Sequence, residues 1–200
     1  MKKKYKLTEE TINVNGKTLY RIEALRDFGD VKKGDKGGFV EKEENLSQSG
    51  DCWVYDDAVV YGTARVYDNA IVCGDAKVYG KAEVYGYAKI FRNAEIYGKA
   101  KVFGHAQVYG DAVVFGNAEV FGNAEIRGDA VITSKSDYIV FKNWWSSGRY
   151  FTWTKNNNMW KVGCFYGTGK KLIEKAYRDS NESGKEYEKI VKYVETIFKD

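Results

Sequence analysis

The chain contains a single histidine, His105, in the segment VFGHAQV. Histidine is the side chain best suited to act as a general base near neutral pH, but it needs an orienting carboxylate or carbonyl and a substrate pocket. The neighbouring sequence offers neither, and no serine or cysteine nucleophile motif accompanies the histidine. We therefore predict that His105 is a corner residue, and a catalytic base is the alternative.

Three carboxylates, Asp27, Asp30 and Asp35, lie in the segment DFGDVKKGDKGG at spacings that loosely resemble a metal-ligand set. A calcium-binding EF-hand loop needs six ligands and a closing glutamate, and this segment has neither. The GDKGG stretch also lacks the pattern of a phosphate-binding Walker loop. Turn and cap chemistry accounts for these residues better, and no metal site is predicted.

A third group of residues with chemical potential lies near the carboxyl end, where aromatic rings alternate with cations. Such rings and cations together can stack a base and hold a phosphate, as in nucleotide or single-strand binding. A small sheet-and-helix module also needs large aromatic side chains for its core, and this second interpretation stays open. The candidate binding residues are Trp144, Trp145, Arg149, Tyr150, Trp153 and Lys155.

The residues between the aspartate segment and the aromatic residues near the carboxyl end follow a six-residue repeat. From Ala58 to Ala130 an alanine recurs every sixth position, and Val or Ile follows two positions later in all thirteen units. Side chains of a strand alternate between its two faces, and the residue between Ala and Val or Ile is mostly charged. The alanine and the Val or Ile must therefore point inward. A glycine usually follows at position five, as expected where the chain turns a corner.

Three such units make one turn of eighteen residues, which is the hexapeptide parallel β-helix. A step of eighteen residues through the charged position gives Arg65, Glu83, Lys101 and Glu119, which alternate in sign. Stacked residues of opposite charge stabilise one another, and so this alternation supports the eighteen-residue period. The array from Leu46 to Ile132 then makes roughly five coils.

Position four of the repeat is aromatic in most units and points outward with the charged position. The step of eighteen residues sorts the rings into columns that are expected to stack. A contiguous exposed apolar strip usually marks association, and so a column is expected to be an oligomer contact. The predicted contact column is Tyr67, Tyr85, Phe103 and Phe121.

We predict a mainly β protein with three parts: an N-terminal β cap over residues 1–45, the β-helix over 46–133, and a small α+β module over 134–200. Asn15-Gly16 lies between alternating apolar residues and predicts a hairpin in the cap. The module is predicted to contain three strands and two helices, with Thr168 as an N-cap and a break at DSNESG.

The composition narrows the class of protein. Residues 52–132 carry 8 basic and 10 acidic groups, whereas residues 133–200 carry 13 and 8, so that an anionic partner is expected to bind the carboxyl end. The cysteines Cys52, Cys73 and Cys164 are odd in number and widely spaced, which fits a reducing cytoplasm. No apolar run predicts a membrane span or a signal peptide.

The repeated Ala-x-Val/Ile-Tyr/Phe-Gly-x array resembles the left-handed β-helix, or hexapeptide-repeat, superfamily. Residues 19–58, beginning LYRIEALRDFGD, are similar to a narrower group of prophage and bacterial hexapeptide proteins of YdcK type, which are labelled transferases without a demonstrated activity. The carboxyl segment, including VGCFYGTGKKLIEKAY, resembles a small module that recurs on phage proteins. The superfamily resemblance implies a left-handed coil, a homotrimer and, in many members, acyl-coenzyme A transfer with a histidine base between subunits.

These observations predict a cytoplasmic, non-catalytic, trimeric binding or scaffold protein of phage or prophage type, without a cofactor. Its partner is expected to be a nucleotide-like anion or a host protein. A counter-defence role, in which the protein sequesters such a ligand in the host cytoplasm, rests on the resemblance alone. The alternative is an acyltransferase that uses His105 and an acyl-coenzyme A donor.

Overall fold

The computed structural model describes residues 3–198, and its two compact units divide between Lys135 and Ser136. The first unit consists of strands and one short 3-10 turn at Glu43–Asn45. Its strands are β1 (Tyr5–Val14), β2 (Lys17–Ala24), β3 (Lys36–Val40), β4 (Trp53–Val54), β5 (Val59–Val60), β6 (Arg65–Val66), β7 (Ile71–Val72), β8 (Lys77–Val78), β9 (Glu83–Val84), β10 (Lys89–Arg92), β11 (Glu95–Ile96), β12 (Lys101–Val102), β13 (Gln107–Gly110), β14 (Val113–Val114), β15 (Glu119–Val120), β16 (Glu125–Ile126) and β17 (Val131–Ile132).

The first unit is a parallel β-helix whose successive strands belong in turn to three different sheets. Sheet I contains β3, β5, β8, β11, β14 and β17, sheet II contains β6, β9, β12 and β15, and sheet III contains β4, β7, β10, β13 and β16. Neighbouring strands are in register at a step of eighteen residues, so that Lys89 lies beside Gln107. The predicted mainly β fold, with about five coils of hexapeptide repeats, is confirmed.

The interior of the β-helix contains only the small apolar positions of the repeat. Each alanine from Ala58 to Ala130, and the Val or Ile two residues later, is at most 1% exposed. Burial of these side chains is favourable in proportion to the apolar area that leaves water. Close packing leaves no room for a larger residue at the alanine, which explains why every repeat keeps it.

Most corners of the coils carry glycine, because the backbone turns left-handed there and lies against the next coil, although Asp56, Asp68 and Arg92 adopt the same positive φ at three corners. Gly98 has φ +72°, and a Cβ atom built on it would lie 2.9 Å from the backbone nitrogen of Gly116. Contacts of real Cβ atoms are essentially never that short. Stacked glycines therefore allow the eighteen-residue coils to approach to backbone hydrogen-bonding distance, as in the Lys99 N–H bond to the Gly116 carbonyl at 2.8 Å.

The amino end of the β-helix is closed by the hairpin of β1 and β2, as the Asn15-Gly16 sequence predicts. Both turn residues have positive φ, and β2 pairs antiparallel with β3. Strand β3 then pairs parallel with β5, with Val40 beside Val60. The hairpin therefore extends sheet I, so that the outer edge of β3 is paired and not open to other chains.

A buried lysine completes this cap. The side chain of Lys4 is fully buried, and its ammonium donates to the carbonyl of Cys52 at 2.9 Å and to that of Gly50 at 3.2 Å. Burial lowers the pKa of Lys4, although the nearby Cys52 partly opposes this. Lys4 therefore satisfies carbonyl groups of the first coil that the β-helix itself leaves without a partner.

The second unit is an α+β module. Its antiparallel sheet has strands β18 (Tyr138–Lys142), β19 (Tyr150–Thr154), β20 (Met159–Val162) and β21 (Phe165–Gly167), followed by helices α1 (Gly169–Asp179) and α2 (Asn181–Ile197). A core of aromatic and aliphatic side chains joins the sheet to the helices, including Phe151, Trp153, Trp160, Leu172 and Val191.

Two details of this module differ from the sequence prediction. The sheet has four strands instead of three, because Gly163 adopts φ +54° and the segment MWKVGCFYG, which the sequence predicts as one strand, folds back on itself to form β20 and β21. The predicted break at DSNESG is only one residue long, because Ser180 accepts a hydrogen bond from the Ser183 N–H and starts α2 at once. Thr168 caps α1 as predicted.

The corner geometry predicts a difference between two glycines of the same repeat position. Gly98→Ala is expected to lower the free energy of unfolding by at least ~1 kcal/mol more than Gly122→Ala, because overpacking destabilises a protein by roughly this amount or more. Both residues have positive φ, but an added Cβ at Gly122 meets nothing within 4 Å. Urea denaturation of the two variants gives the comparison. Equal losses would show that contact between stacked coils does not decide the choice of glycine.

Candidate binding surfaces

His105 lies exposed at a corner between sheets II and III. Its ring stacks on Tyr87, with 5.1 Å between the ring centroids, and within residues 3–198 its imidazole forms no hydrogen bond or ion pair. No carboxylate orients it, and it does not line the pocket described below. This geometry is that of a stacked surface residue, and it lacks the partners with which a general base is positioned.

Tyr67, Tyr85, Phe103 and Phe121, here called the aromatic column, form one continuous stack along sheet II. Successive ring centroids are 4.8, 4.9 and 5.4 Å apart, and the rings lie within 14° of parallel. Burial, assisted by the charge of Glu83, raises the pKa of Tyr67 to about 12. The column ends in Phe121, which is 43% exposed. The rings therefore stabilise one another and still present an apolar strip to solvent.

The cap covers only the amino end of the column beside sheet I, in which Tyr97 and Phe115 are half-buried like Tyr85 and Phe103 of the aromatic column. Tyr61 is only 6% exposed, because it packs in a cluster with Leu19 and Phe39 of the cap, against which Tyr79 also lies. Beside sheet III, Tyr109 is 7% exposed, and the guanidinium of Arg127 lies 5.6 Å from its ring centroid. The aromatic column is thus a four-ring stack that the hairpin leaves uncovered.

The charged positions beside the aromatic column alternate as the sequence predicts. Glu83 lies in register between Arg65 and Lys101, and its carboxylate is 3.8 Å from the Lys101 ammonium. On sheet I, the Lys77 ammonium lies 3.0 Å from the Glu95 carboxylate. Exposed ion pairs contribute little stability, but a wrong register would place like charges side by side.

Two corners of the β-helix carry opposite charges. The corner between sheets I and II presents Lys81 and Lys99, both exposed. The corner between sheets III and I presents Asp57, Asp75 and Asp111, also exposed. These differences follow from the eighteen-residue period, because residues at equal positions of successive coils stack into one column.

The loop between β18 and β19, together with the first residue of β19, carries four of the six predicted binding residues. Trp144 is 69% exposed and Tyr150 is 43% exposed, and Arg149 is exposed as well. Trp145 packs edge-on against Trp144 and Tyr187, with centroids 4.8 and 4.9 Å away. Trp145 therefore anchors the loop, while the other three side chains face solvent.

The other two predicted binding residues, Trp153 and Lys155, lie outside this exposed loop. Trp153 is only 3% exposed, and its indole N–H donates to the Asn158 side chain at 2.8 Å. It belongs to the core of the module, because its strand position faces the helices, and it does not present a face to a ligand. The Lys155 ammonium lies 5.2 Å from the ring centroid of Phe198.

A pocket of about 200 Å³ opens beside this loop, within the module. Ser147 and Arg149 lie on one side, Gly163 and Cys164 at the β20–β21 turn on another, and helix α1 closes the remainder. Apart from Arg149, sequence analysis did not single out these residues for binding. They come from three separate elements and share no spacing, so that only the folded module brings them together.

The side chains of Asp27 and Asp35 in the segment DFGDVKKGDKGG stabilise turns of the backbone. Asp27 accepts a hydrogen bond from the Lys33 backbone N–H at 2.9 Å, and this bond is the main reason that the pKa of Asp27 is lowered. Asp35 accepts from the Lys32 N–H at 2.7 Å. These carboxylates hold the loop that leads into β3.

A short segment of the chain is similar to a known protein. The chain matches no protein-family model. It is 45% identical over 47 residues to an Escherichia coli K12 protein described as the uncharacterized acetyltransferase YdcK. The matched segment is 23% of this chain and 14% of that protein, and so the chain spans only a small part of this relative's length. The similarity agrees with a hexapeptide-repeat β-helix.

Neither helix within residues 3–198 has the length and apolar character that are needed to cross a membrane.

The burial of the tryptophans predicts opposite outcomes for two substitutions. Trp153→Ala is expected to lower the free energy of unfolding by about 3–5 kcal/mol, because it empties a core position. Trp144→Ala is expected to change it by less than about 1 kcal/mol, since exposed side chains contribute little. Thermal and urea denaturation measure both. A large loss in Trp144→Ala would place that ring in the core and remove it from the exposed group.

Proposed function

We propose that this protein is a non-catalytic, self-associating binding protein in which the β-helix is the scaffold and forms a homotrimer. The observation that supports the proposal is the aromatic column, a stack of four rings that are half-buried or, at Phe121, exposed, whereas the cap covers the amino end of the column beside sheet I at Tyr61. Large contiguous apolar strips on monomers are uncommon and usually mark association sites. A second copy of the chain is the partner we propose for this strip.

The charges at the corners favour a head-to-tail ring of subunits over a two-fold dimer. A two-fold contact between parallel columns at the Lys81 and Lys99 corner would bring like charges together. A head-to-tail contact instead allows this corner to meet the Asp75 and Asp111 corner of the next copy. Heterologous contacts of this kind close into rings when the rotation permits, and a trimer is the smallest such ring.

The C-terminal module is proposed to provide the binding function. Trp144, Arg149 and Tyr150 expose two rings and a cation on one short segment, a combination that is enriched at binding hot spots. Residues 133–200 carry a net charge of +5, which favours an anionic partner such as a nucleotide-like molecule or an acidic host protein. The resemblance to prophage proteins extends the proposal to a phage-encoded protein of the host cytoplasm, with counter-defence as its role.

Two lysine substitutions test self-association. Tyr85→Lys is expected to convert the trimer to a monomer, because it places a charge in the middle of the aromatic column. Tyr97→Lys is the matched control, since Tyr97 is also stacked between two rings but belongs to the column beside sheet I. Analytical ultracentrifugation reports the mass of each. A monomeric parent, or dissociation in the control alone, would contradict the proposal.

An acyltransferase is the second candidate, and the similarity to the uncharacterized acetyltransferase favours it. In that case His105 would be the base, acyl-coenzyme A would be the donor, and the site would need the surface of a neighbouring copy. We expect no transfer of the acetyl group from acetyl-coenzyme A to a panel of amine, hydroxyl and sugar acceptors. Transfer that is lost in His105→Ala and retained in the corner control Asn123→Ala would replace the scaffold proposal with an enzyme.

A further inference from the structure

The pocket in the C-terminal module combines an apolar floor with a cationic rim. Leu172 and Ala176 of helix α1 are nearly fully buried at its base, and Val162 and Phe165 flank them. Arg149 and Lys175 are the two cations that line it. Polar groups at the rim of an apolar pocket orient a ligand, while the apolar surface supplies most of the binding free energy.

The pocket has one cation whose charge is not matched. The Lys175 ammonium lies 3.6 Å from the carboxylate of Asp179, one helical turn later. The guanidinium of Arg149, by contrast, forms no hydrogen bond or ion pair within residues 3–198. Arg149 therefore presents a single net positive charge with planar donors, which match the two oxygens of a carboxylate.

The size of the pocket limits the ligand. A volume of about 200 Å³ is below the range of roughly 300–1,000 Å³ that drug-sized ligands occupy, and it exceeds the roughly 150 Å³ cavity that holds one benzene ring. A whole nucleotide therefore exceeds it. One ring or one branched aliphatic group fits, together with a small polar group at the rim.

We propose that this pocket binds a monocarboxylate that carries one apolar group. The apolar group lies over Leu172 and Ala176, and the carboxylate pairs with Arg149. A phosphate dianion is a poorer match, because a single unmatched cation faces it, and the other two charged residues of the lining, Lys175 and Asp179, pair with each other. Two sources share this chemistry: a free aromatic or aliphatic acid, and the C-terminal residue of a peptide with an apolar side chain.

This inference rests on the proposed binding role of the module and is independent of self-association. Tyr85 lies in the β-helix and the pocket lies in the C-terminal module. The effect of Tyr85→Lys on the oligomeric state and the binding of a carboxylate are therefore measured in separate experiments. Loss of one result leaves the other standing.

Phenylacetate is the probe for the free acid, and phenylacetamide is its neutral control. Cys164 is exposed at the pocket, whereas Cys52 is buried, so that peptide mapping after brief iodoacetamide treatment reports occupancy at Cys164. We expect phenylacetate to slow the alkylation of Cys164 in a saturable manner. Amide NMR signals of Gly163 and Cys164 are expected to shift over the same concentration range, while phenylacetamide leaves both readouts unchanged.

Arg149→Gln is expected to weaken the binding of phenylacetate by about tenfold, the value of one charge-assisted hydrogen bond. Arg178→Gln is the matched control, because Arg178 is an exposed arginine of helix α1 that does not line the pocket. Equal binding to Arg149→Gln and to the parent, or an equal loss in the control, would overturn the carboxylate assignment. Absence of saturable binding to the parent would overturn the site.

Two peptides separate the possible sources. Acetyl-Gly-Gly-Phe with a free carboxylate is compared with the same peptide ending in an amide. Tighter binding of the free-carboxylate peptide than of phenylacetate assigns a chain terminus as the ligand, and the reverse order assigns a small acid. If the amide peptide binds as well as the free carboxylate, recognition of the carboxylate is wrong.

Discussion

The close approach of successive coils is the interaction on which the rest of this structure depends. Each coil is joined to the next by backbone hydrogen bonds from an N–H to the carbonyl seventeen residues later, as from Lys89 to Ala106 at 3.0 Å and from Lys99 to Gly116 at 2.8 Å. These bonds place residues eighteen apart in register. That approach leaves room only for alanine beside Val or Ile inside the coil, and only for a left-handed glycine at most corners. The six-residue repeat is the sequence consequence of this one geometric demand.

The same step determines what the surface offers. Each outward position is repeated eighteen residues later, so that rings stack on rings, as at Tyr67 and Tyr85, and opposite charges pair on the sheets, as at Lys77 and Glu95. At the corner of Lys81 and Lys99, the same step places like charges in adjacent coils. The hairpin packs on Tyr61 and so covers the amino end of the column beside sheet I, and it does not pack on the column beside sheet II. The β-helix therefore offers extended surface strips for binding, whereas the compact pocket lies in the C-terminal module.

The sequence predicts the β-helix well because its period is local and repeated thirteen times, so that each unit supports the others. It predicts the Asn15-Gly16 hairpin and the Thr168 cap because turn and cap chemistry depend on a few adjacent residues. It fails where tertiary packing decides. The burial of Trp153, the extra strand after Gly163 and the pocket between Arg149 and α1 arise from contacts between distant segments that no spacing records.

The most direct test of the eighteen-residue coil is the formation of engineered disulfides in a Cys73→Ser, Cys164→Ser background. Neighbouring parallel strands lie about 4.8 Å apart, within the Cα separations of about 4.4–6.8 Å that a disulfide spans. Lys89→Cys with Gln107→Cys, which are in register, is therefore expected to oxidise readily. Lys89→Cys with Lys101→Cys, twelve residues apart on different sheets, is expected to remain reduced. Oxidation of the second pair in preference to the first would contradict the stacked coil.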